Sequence, residues 1–260
     1  MVPPPIRRPP SSPGCSEPAP YTRLVSSRTL PAKHRARRFI ATVAAAAAAA
    51  GGLVASIAVA PASQLPTASA EPCAPVELIF ARGRGEAPGI GRIGDALVGA
   101  LNARLPQPVG VYAVNYPADF EVPVGANDIS DRIQYMAGAC PNTRLIVGGY
   151  SLGAASAALA LSATQSGLGF DRPLPPEMSG HVAAVVLVAN ITRRMVGNEI
   201  GPPYRDRTIN VCVPTDPVCG DSLPTGFEDL QSVWPNHWQD AYIGSDLINQ
   251  AADFAAARVR

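Results

Sequence analysis

The chain has few histidines and almost no lysine. Among its 260 residues there are 3 histidines, and Lys33 is its single lysine. Residues 71–260 contain no lysine, and their 13 arginines stand against 19 acidic residues, a formal charge of −6. Nucleic-acid binding depends on clustered cations that face phosphates, so this composition excludes nucleic acid as a partner.

The N-terminal part has the composition of a targeting segment. Residues 1–32 are rich in Pro, Ser and Arg and poor in groups that could form a core, which predicts a disordered extension. Residues 33–70 combine basic residues, an uncharged run over 39–60 and a small-residue site ending at Ala70, in the order typical of a signal peptide. We expect cleavage after Ala70 and export of residues 71–260. A membrane anchor is the alternative, because 39–60 has the roughly 20 residues that span a bilayer.

Export changes the interpretation of the cysteines. An even number of cysteines in an oxidising compartment favours disulfides over free thiols, and the exported region holds Cys73, Cys140, Cys212 and Cys219. These four allow three pairings, of which closeness in sequence favours Cys212 with Cys219, around Asp216. No metal site is expected, since the spacing is not of the zinc type and no histidine lies nearby.

Strand-like and helix-like segments alternate along residues 71–260. Short apolar runs rich in β-branched residues predict five strands that are buried on both faces, over Val76–Ala81, Val109–Tyr116, Arg144–Tyr150, Val182–Ala189 and Thr208–Val213. Apolar residues at three- and four-residue spacing predict helices over Ile90–Leu105, Asn127–Ala139, Leu152–Gln165 and Ser245–Val259. Two long surface loops are expected at Arg193–Arg207 and Gly220–Pro235. The alternation predicts an α/β fold with a parallel sheet, helices on both faces and a ligand site at the carboxyl ends of the strands.

One motif carries a specific chemistry. The sequence Gly149-Tyr150-Ser151-Leu152-Gly153 has the pattern G-x-S-x-G and lies between a predicted strand and a predicted helix. In that context a sharp turn lifts the serine hydroxyl to the edge of the sheet, and the flanking glycines let neighbouring backbone approach. Ser151 is therefore the candidate nucleophile. A glycine-rich turn with an ordinary capping serine is the alternative.

A serine nucleophile needs a base and an acid that orients the base. The exported region offers His181 and His237. Hydrolases of this architecture place the acid and then the histidine after the serine, which favours His237. His181 directly precedes a predicted strand, at the amino end of that strand and on the side away from the chemistry. Asp216, just after the fifth predicted strand, is the candidate acid, and Asp221 and Asp229 are the alternatives.

Together these segments resemble the cutinase family, and most of all its actinobacterial cutinase-like serine esterases. The likeness rests on the serine motif, the segment Phe80–Glu86, the short loop Cys212–Cys219 and His237, and it covers about residues 73–258. It implies a three-layer α/β-hydrolase fold with a five-stranded parallel central sheet. It also implies a catalytic triad of Ser151, Asp216 and His237, and disulfides that pair Cys73 with Cys140 and Cys212 with Cys219.

The resemblance also implies an oxyanion hole. Its two donors would be the backbone N–H of Leu152, which follows the nucleophile, and a donor at Arg84, after the first strand. Both residues depart from the family, which commonly has Gln at the first position and a small hydroxyl residue at the second. Backbone donation does not depend on the side chain, so we expect the hole to persist, with modest activity if a hydroxyl contact is lost.

The surroundings of the base suggest the substrate. Trp234 and Trp238 flank His237 in an apolar stretch, which suits acyl chains. These observations predict a secreted serine esterase that acts on fatty-acyl esters as a monomer and without a cofactor. Association with a membrane or the cell envelope is a further expectation. The alternatives are an envelope-associated binding protein of the same fold with weakened catalysis, and an esterase of the acetylxylan type.

Overall fold

The structure is a computed structural model and describes residues 73–194, 200–221 and 224–260. The predicted extension over 1–32 and the predicted signal or anchor over 33–70 lie outside the described residues. Within the part that is described, no helix combines the length and the apolar character needed to cross a bilayer.

Five parallel strands form one sheet. They are β1 (Val76–Ala81), β2 (Gly110–Ala113), β3 (Arg144–Tyr150), β4 (Val182–Val188) and β5 (Thr208–Val211). Their order across the sheet is β2-β1-β3-β4-β5. The chain builds β2 on one side of β1 and then crosses to build β3 on the other side. In open parallel sheets such a reversal leaves a crevice at the carboxyl ends of the two central strands, and ligands bind there.

Helices cover both faces of the sheet and make the fold three-layered. One face packs against α1 (Gly91–Asn102) and α6 (Leu247–Val259), and the other against α2 (Val122–Ala139) and α3 (Leu152–Ser162). Side chains of β1 alternate between the two cores: Leu78 and Phe80 join the first, and Ile79 and Ala81 the second. The predicted α/β fold with a five-stranded parallel sheet is confirmed.

Three predictions about the elements need correction. Strands β2 and β5 lie at the edges of the sheet, so they are shorter than expected and only partly buried, whereas burial on both faces holds for the three central strands. The expected surface loop Gly220–Pro235 contains a helix, α4 (Phe227–Val233), and a further short helix, α5 (Gln239–Ile243), follows it. The sequence carries the signals for α4, since two acidic residues lie in its first turn and its apolar residues recur at helical spacing. Helix α2 begins five residues earlier than expected, because proline is tolerated in a first helical turn.

Both disulfides implied by the resemblance are present. Cys73 and Cys140 join the segment before β1 to the end of α2, with Cα atoms 5.6 Å apart. Cys212 and Cys219 close a short loop directly after β5, with Cα atoms 6.0 Å apart. The second bridge matters for the site, because the loop it closes contains Asp216.

Candidate active site

Ser151 lies on a strained turn between β3 and α3. Its backbone has φ 55° and ψ −116°, in the positive-φ region that side chains other than glycine rarely adopt. Such conformations cost about 1–3 kcal/mol and persist only when surrounding contacts impose them. Here the Ser151 N–H donates to the carbonyl of Val188 on β4 at 2.9 Å. The turn presents the hydroxyl at the carboxyl edge of the sheet.

The two outer glycines of the motif are required by close backbone approach. A Cβ atom at Gly153 would lie 2.1 Å from the carbonyl oxygen of Ala81 and 2.4 Å from that of Arg82. A Cβ atom at Gly149 would lie 2.3 Å from the backbone of Gly153. All three distances are far inside van der Waals contact. The pattern therefore reflects the tight junction of β1, β3 and α3 beneath the serine.

The structure brings Ser151, His237 and Asp216 together. Ser151 Oγ lies 2.9 Å from His237 Nε2, and His237 Nδ1 lies 2.8 Å from Asp216 Oδ2. Asp216 is fully buried, and the other two residues are each 8% exposed. Because Nδ1 faces a carboxylate, it carries the ring proton of the neutral imidazole. The free lone pair of Nε2 then points at the serine hydroxyl.

Asp216 is held as a carboxylate by several donors. Its Oδ1 accepts from the backbone N–H groups of Val218 at 2.6 Å and Cys219 at 3.3 Å. Its Oδ2 accepts from Tyr242 Oη at 2.5 Å as well as from His237. Burial acts to raise the pKa of Asp216, but these hydrogen bonds outweigh burial and hold the pKa below its usual value. The acid therefore stays ionised beside the imidazole.

Two aromatic residues hold His237 in place. Tyr150 Oη donates to the backbone carbonyl of His237, and the two rings stack with centroids 5.8 Å apart. Burial raises the pKa of Tyr150, so its hydroxyl remains protonated and able to donate. The ring of Trp234 lies 5.6 Å from the imidazole at a tilt of 47°. The base is thus fixed through both its backbone and its ring.

The candidate oxyanion donors lie on two adjacent segments. Leu152 is the first residue of α3, and Arg84 lies in the loop after β1. Within residues 73–194, 200–221 and 224–260, neither backbone N–H is paired with an acceptor. The Arg84 loop is held on each side: Gly83 N–H donates to Glu86 Oε2 at 2.6 Å, and Gly85 N–H donates to the Ala118 carbonyl at 2.8 Å. The Arg84 guanidinium lies 4.4 Å from the centroid of the exposed Phe120 ring, so the backbone N–H of Arg84 is the candidate donor.

The alternative residues are occupied elsewhere. Asp221 is exposed and pairs with Arg193 at 3.8 Å. Asp229 accepts a hydrogen bond from the N–H of Thr225 at 2.8 Å. His181 directly precedes β4, at the amino end of that strand. None of the three is among the hydrogen-bond partners of His237, Ser151 or Asp216.

Three residues of the site carried no prediction from sequence: Tyr150, Tyr242 and Glu86. Tyr150 and Glu86 lie inside the motifs that carry the resemblance, but only the coordinates reveal their contacts. Tyr242 lies five residues after His237 in an ordinary helical pattern, so no sequence signal marks it.

One possible metal-ligand grouping also coincides with the site, at Asp216 with Cys212 and Cys219. The two sulfur atoms are bonded to each other and offer no thiolate.

An apolar groove of about 580 Å³ opens beside the base. The residues that line it come from α4 and the turn that follows, and they are Phe227, Leu230, Gln231, Trp234, Pro235 and Trp238. Phe227 is 79% exposed, Trp238 52% and Trp234 42%. Large apolar side chains left open to solvent in one patch are typical of a binding surface.

Known proteins are similar to this chain in sequence and in fold. The sequence model of the family described as Cutinase matches residues 72–259. The chain is 45% identical over 230 residues to the probable carboxylesterase Culp2 of Mycobacterium tuberculosis, a match that covers 86% of this chain and 97% of the relative. It is 42% identical over 231 residues to the phospholipase Culp4 of the same organism, covering 86% and 93%.

A solved structure is similar to the fold. The cutinase of Trichoderma reesei, in complex with a phosphonate inhibitor, matches with a TM-score of 0.54 and 24% identity. The match covers 73% of this chain and 78% of that one. At this level of identity the likeness concerns the fold alone.

Proposed function

The chain belongs to the cutinase family and is a serine carboxylic ester hydrolase, and from this premise we propose that it is exported and hydrolyses fatty-acyl esters through an acyl-enzyme on Ser151. The observation that carries the mechanism is a pair of hydrogen bonds in series. Ser151 Oγ lies 2.9 Å from His237 Nε2, and His237 Nδ1 lies 2.8 Å from Asp216 Oδ2.

Each residue of this triad has a role in the proposed reaction. His237 Nε2 takes the proton of Ser151 as Oγ attacks the ester carbonyl, and Asp216 stabilises the imidazolium that forms. The N–H groups of Leu152 and Arg84 donate to the negative oxygen of the tetrahedral intermediate. The imidazolium then protonates the leaving alcohol. A water molecule, activated by the same histidine, releases the acid and restores Ser151.

Covalent labelling tests the nucleophile. A fluorophosphonate probe reacts with activated serines, so we expect the wild-type protein to be labelled and Ser151→Ala to be unlabelled. Ser162→Ala is the matched control, because Ser162 is exposed at the far end of the same helix. Labelling of Ser151→Ala, or loss of labelling in Ser162→Ala, would contradict the assignment.

The groove beside His237 supports acyl chains as the substrate class. Its aromatic and aliphatic lining gains free energy from each methylene it removes from water, at about 0.8 kcal/mol per CH₂. In a series of p-nitrophenyl esters from acetyl to palmitoyl, kcat/KM should rise beyond acetyl. Trp238→Ala should lower kcat/KM for the longer esters by about tenfold and leave the acetyl ester nearly unchanged.

Tyr135→Ala provides the control for that series. Tyr135 is another exposed aromatic residue, 61% exposed on α2, and it does not line the groove. Its substitution should leave the chain-length preference unchanged. A wild-type preference for the acetyl ester would instead support an esterase of the acetylxylan type.

A second candidate function follows from Leu152 and Arg84. These residues replace those that the family commonly places at the oxyanion hole. A binding protein of the cell envelope with weakened catalysis would fold normally, and the probe would leave it unlabelled.

Export is tested by the mature N-terminus. Mass spectrometry of the protein recovered from culture medium should give Glu71 as the first residue. Recovery from the membrane fraction with residues 39–60 still attached would support an anchor.

A further inference from the structure

The carboxylate of Asp216 has a partner outside the triad. Tyr242, on α5, donates its hydroxyl to Asp216 Oδ2 at 2.5 Å. The same oxygen atom accepts from His237 Nδ1 at 2.8 Å. Tyr242 is fully buried, and its hydroxyl also accepts from the backbone N–H of Val213 at 3.3 Å. This phenol therefore uses both its donor and its acceptor capacity within the loop Cys212–Cys219.

We infer that Tyr242 is a positioning residue for ester hydrolysis. Its hydroxyl fixes the Asp216 carboxylate and, together with His237, draws on the negative charge of that carboxylate. The inference rests on the proposed function and deepens it. It assigns a role to a fourth side chain, whose hydroxyl is bonded to the acid of the triad.

The positioning follows from the saturation of the carboxylate. Val218 and Cys219 donate to Oδ1, while Tyr242 and His237 donate to Oδ2. Four donors leave the carboxylate no freedom to rotate. Because a geometric error of about 1 Å can reduce a rate by about a hundredfold, a carboxylate that moves would orient the imidazole less well.

The sharing of charge follows from two donors on one oxygen atom. Charge-assisted O–H···O⁻ bonds are short and strong, so Tyr242 draws electron density toward itself. That density is then less available to the imidazolium that forms on His237 during the reaction. Without the phenol hydroxyl, Oδ2 would face His237 alone and would stabilise the protonated ring more strongly.

Other ionisable groups near this pair are engaged elsewhere. Tyr150 packs edge-on against the Tyr242 ring with centroids 6.0 Å apart, but its hydroxyl bonds to the backbone carbonyl of His237. The Glu86 carboxylate bonds to the backbone N–H groups of Gly83 and Arg92. Across the described residues, His237 and Tyr242 are the side chains that donate to Asp216.

Tyr242→Phe tests the inference, because it removes the hydroxyl and keeps the buried ring. With p-nitrophenyl butyrate, kcat should fall by about tenfold while KM stays within about twofold, since the loss concerns orientation in the transition state. The acid limb of kcat/KM against pH should move up by about half a unit, because the carboxylate then stabilises the protonated imidazole more strongly.

Tyr150→Phe is the matched control. It also removes a buried hydroxyl beside His237, but one bonded to a carbonyl and not to the carboxylate. We expect its acid limb to coincide with that of the wild type, whatever its kcat. Tyr242→Phe with a lower melting temperature but unchanged kcat and acid limb would show a purely structural role and overturn the inference. An equal shift in both variants would overturn it as well.

The outcome is separable from that of the proposed function. If the wild-type protein neither hydrolyses the ester nor takes up the fluorophosphonate, the proposed function fails. If the wild type is active and Tyr242→Phe matches it at every pH, the inference about Tyr242 alone fails.

Discussion

The carboxylate of Glu86 accepts a hydrogen bond from the backbone N–H of Gly83, three residues earlier, at 2.6 Å. Its second oxygen accepts from the N–H of Arg92 in the first turn of α1 at 3.0 Å. One side chain thus ties the loop that carries Arg84 to the helix that follows. The position of the second candidate oxyanion donor depends on this tie.

Glu86→Ala should therefore weaken transition-state stabilisation more than substrate binding. Without the carboxylate the Arg84 N–H loses its fixed position, and we expect kcat to fall by about tenfold with little change in KM. Steady-state kinetics on p-nitrophenyl butyrate measure both values. Glu177→Ala, an exposed acid in the turn before β4, should match the wild type. Normal kcat in Glu86→Ala would show that the loop keeps its shape without the carboxylate.

Two glycine-to-alanine changes should have opposite effects on stability. At Gly153 the new methyl group would collide with the backbone of Ala81 and Arg82, so we expect a loss of about 3 kcal/mol in the free energy of unfolding, together with loss of activity. At Gly138, in α2, a Cβ would meet nothing within 4 Å. Gly138→Ala should stabilise by about 0.5–1 kcal/mol through helix propensity. Urea denaturation measures both, and a tolerated Gly153→Ala would contradict the tight junction.

The two disulfides should differ in what they control. Loop entropy predicts a loss of about 2.5 kcal/mol for removal of Cys212–Cys219 and about 4.4 kcal/mol for removal of Cys73–Cys140. Only the shorter loop holds Asp216, so replacing both of its cysteines with alanine should also lower kcat. The alanine pair at Cys73 and Cys140 should keep its kcat at temperatures where it remains folded. Equal kcat in the two double variants would show that Asp216 keeps its position without the Cys212–Cys219 bridge.

Asp216 should make stability depend on pH below neutrality. Since the folded protein holds the pKa of Asp216 below its unfolded value, the ionised carboxylate favours the folded state. That contribution is complete above the unfolded pKa of about 3.9 and is lost as pH falls through the lower folded pKa. The melting temperature of the wild type should fall more steeply over this range than that of Asp216→Asn. Asp95→Asn, at an exposed position of α1, should retain the steep fall, and parallel curves for all three proteins would contradict the assignment.

The order of the elements was predictable, but several boundaries were not. Strands β1 and β3 were predicted with their observed bounds, because continuous apolar runs end sharply at polar or glycine residues. Helix α4 was predicted as a loop although its apolar residues recur at helical spacing, because the helix is only seven residues long and buries none of its side chains. The juxtaposition of Ser151, Asp216 and His237 followed from strand ends and motif order. The contacts of Tyr242 and Glu86 depend on side-chain directions that spacing does not encode.

Helix α4 contributes three of the six residues that line the aromatic groove and none of Ser151, Asp216 and His237. Half of the proposed acyl-binding surface is therefore separate in sequence from the residues proposed to cleave the ester. Directed evolution restricted to α4 could retune chain-length preference while the bond-breaking groups keep their registration.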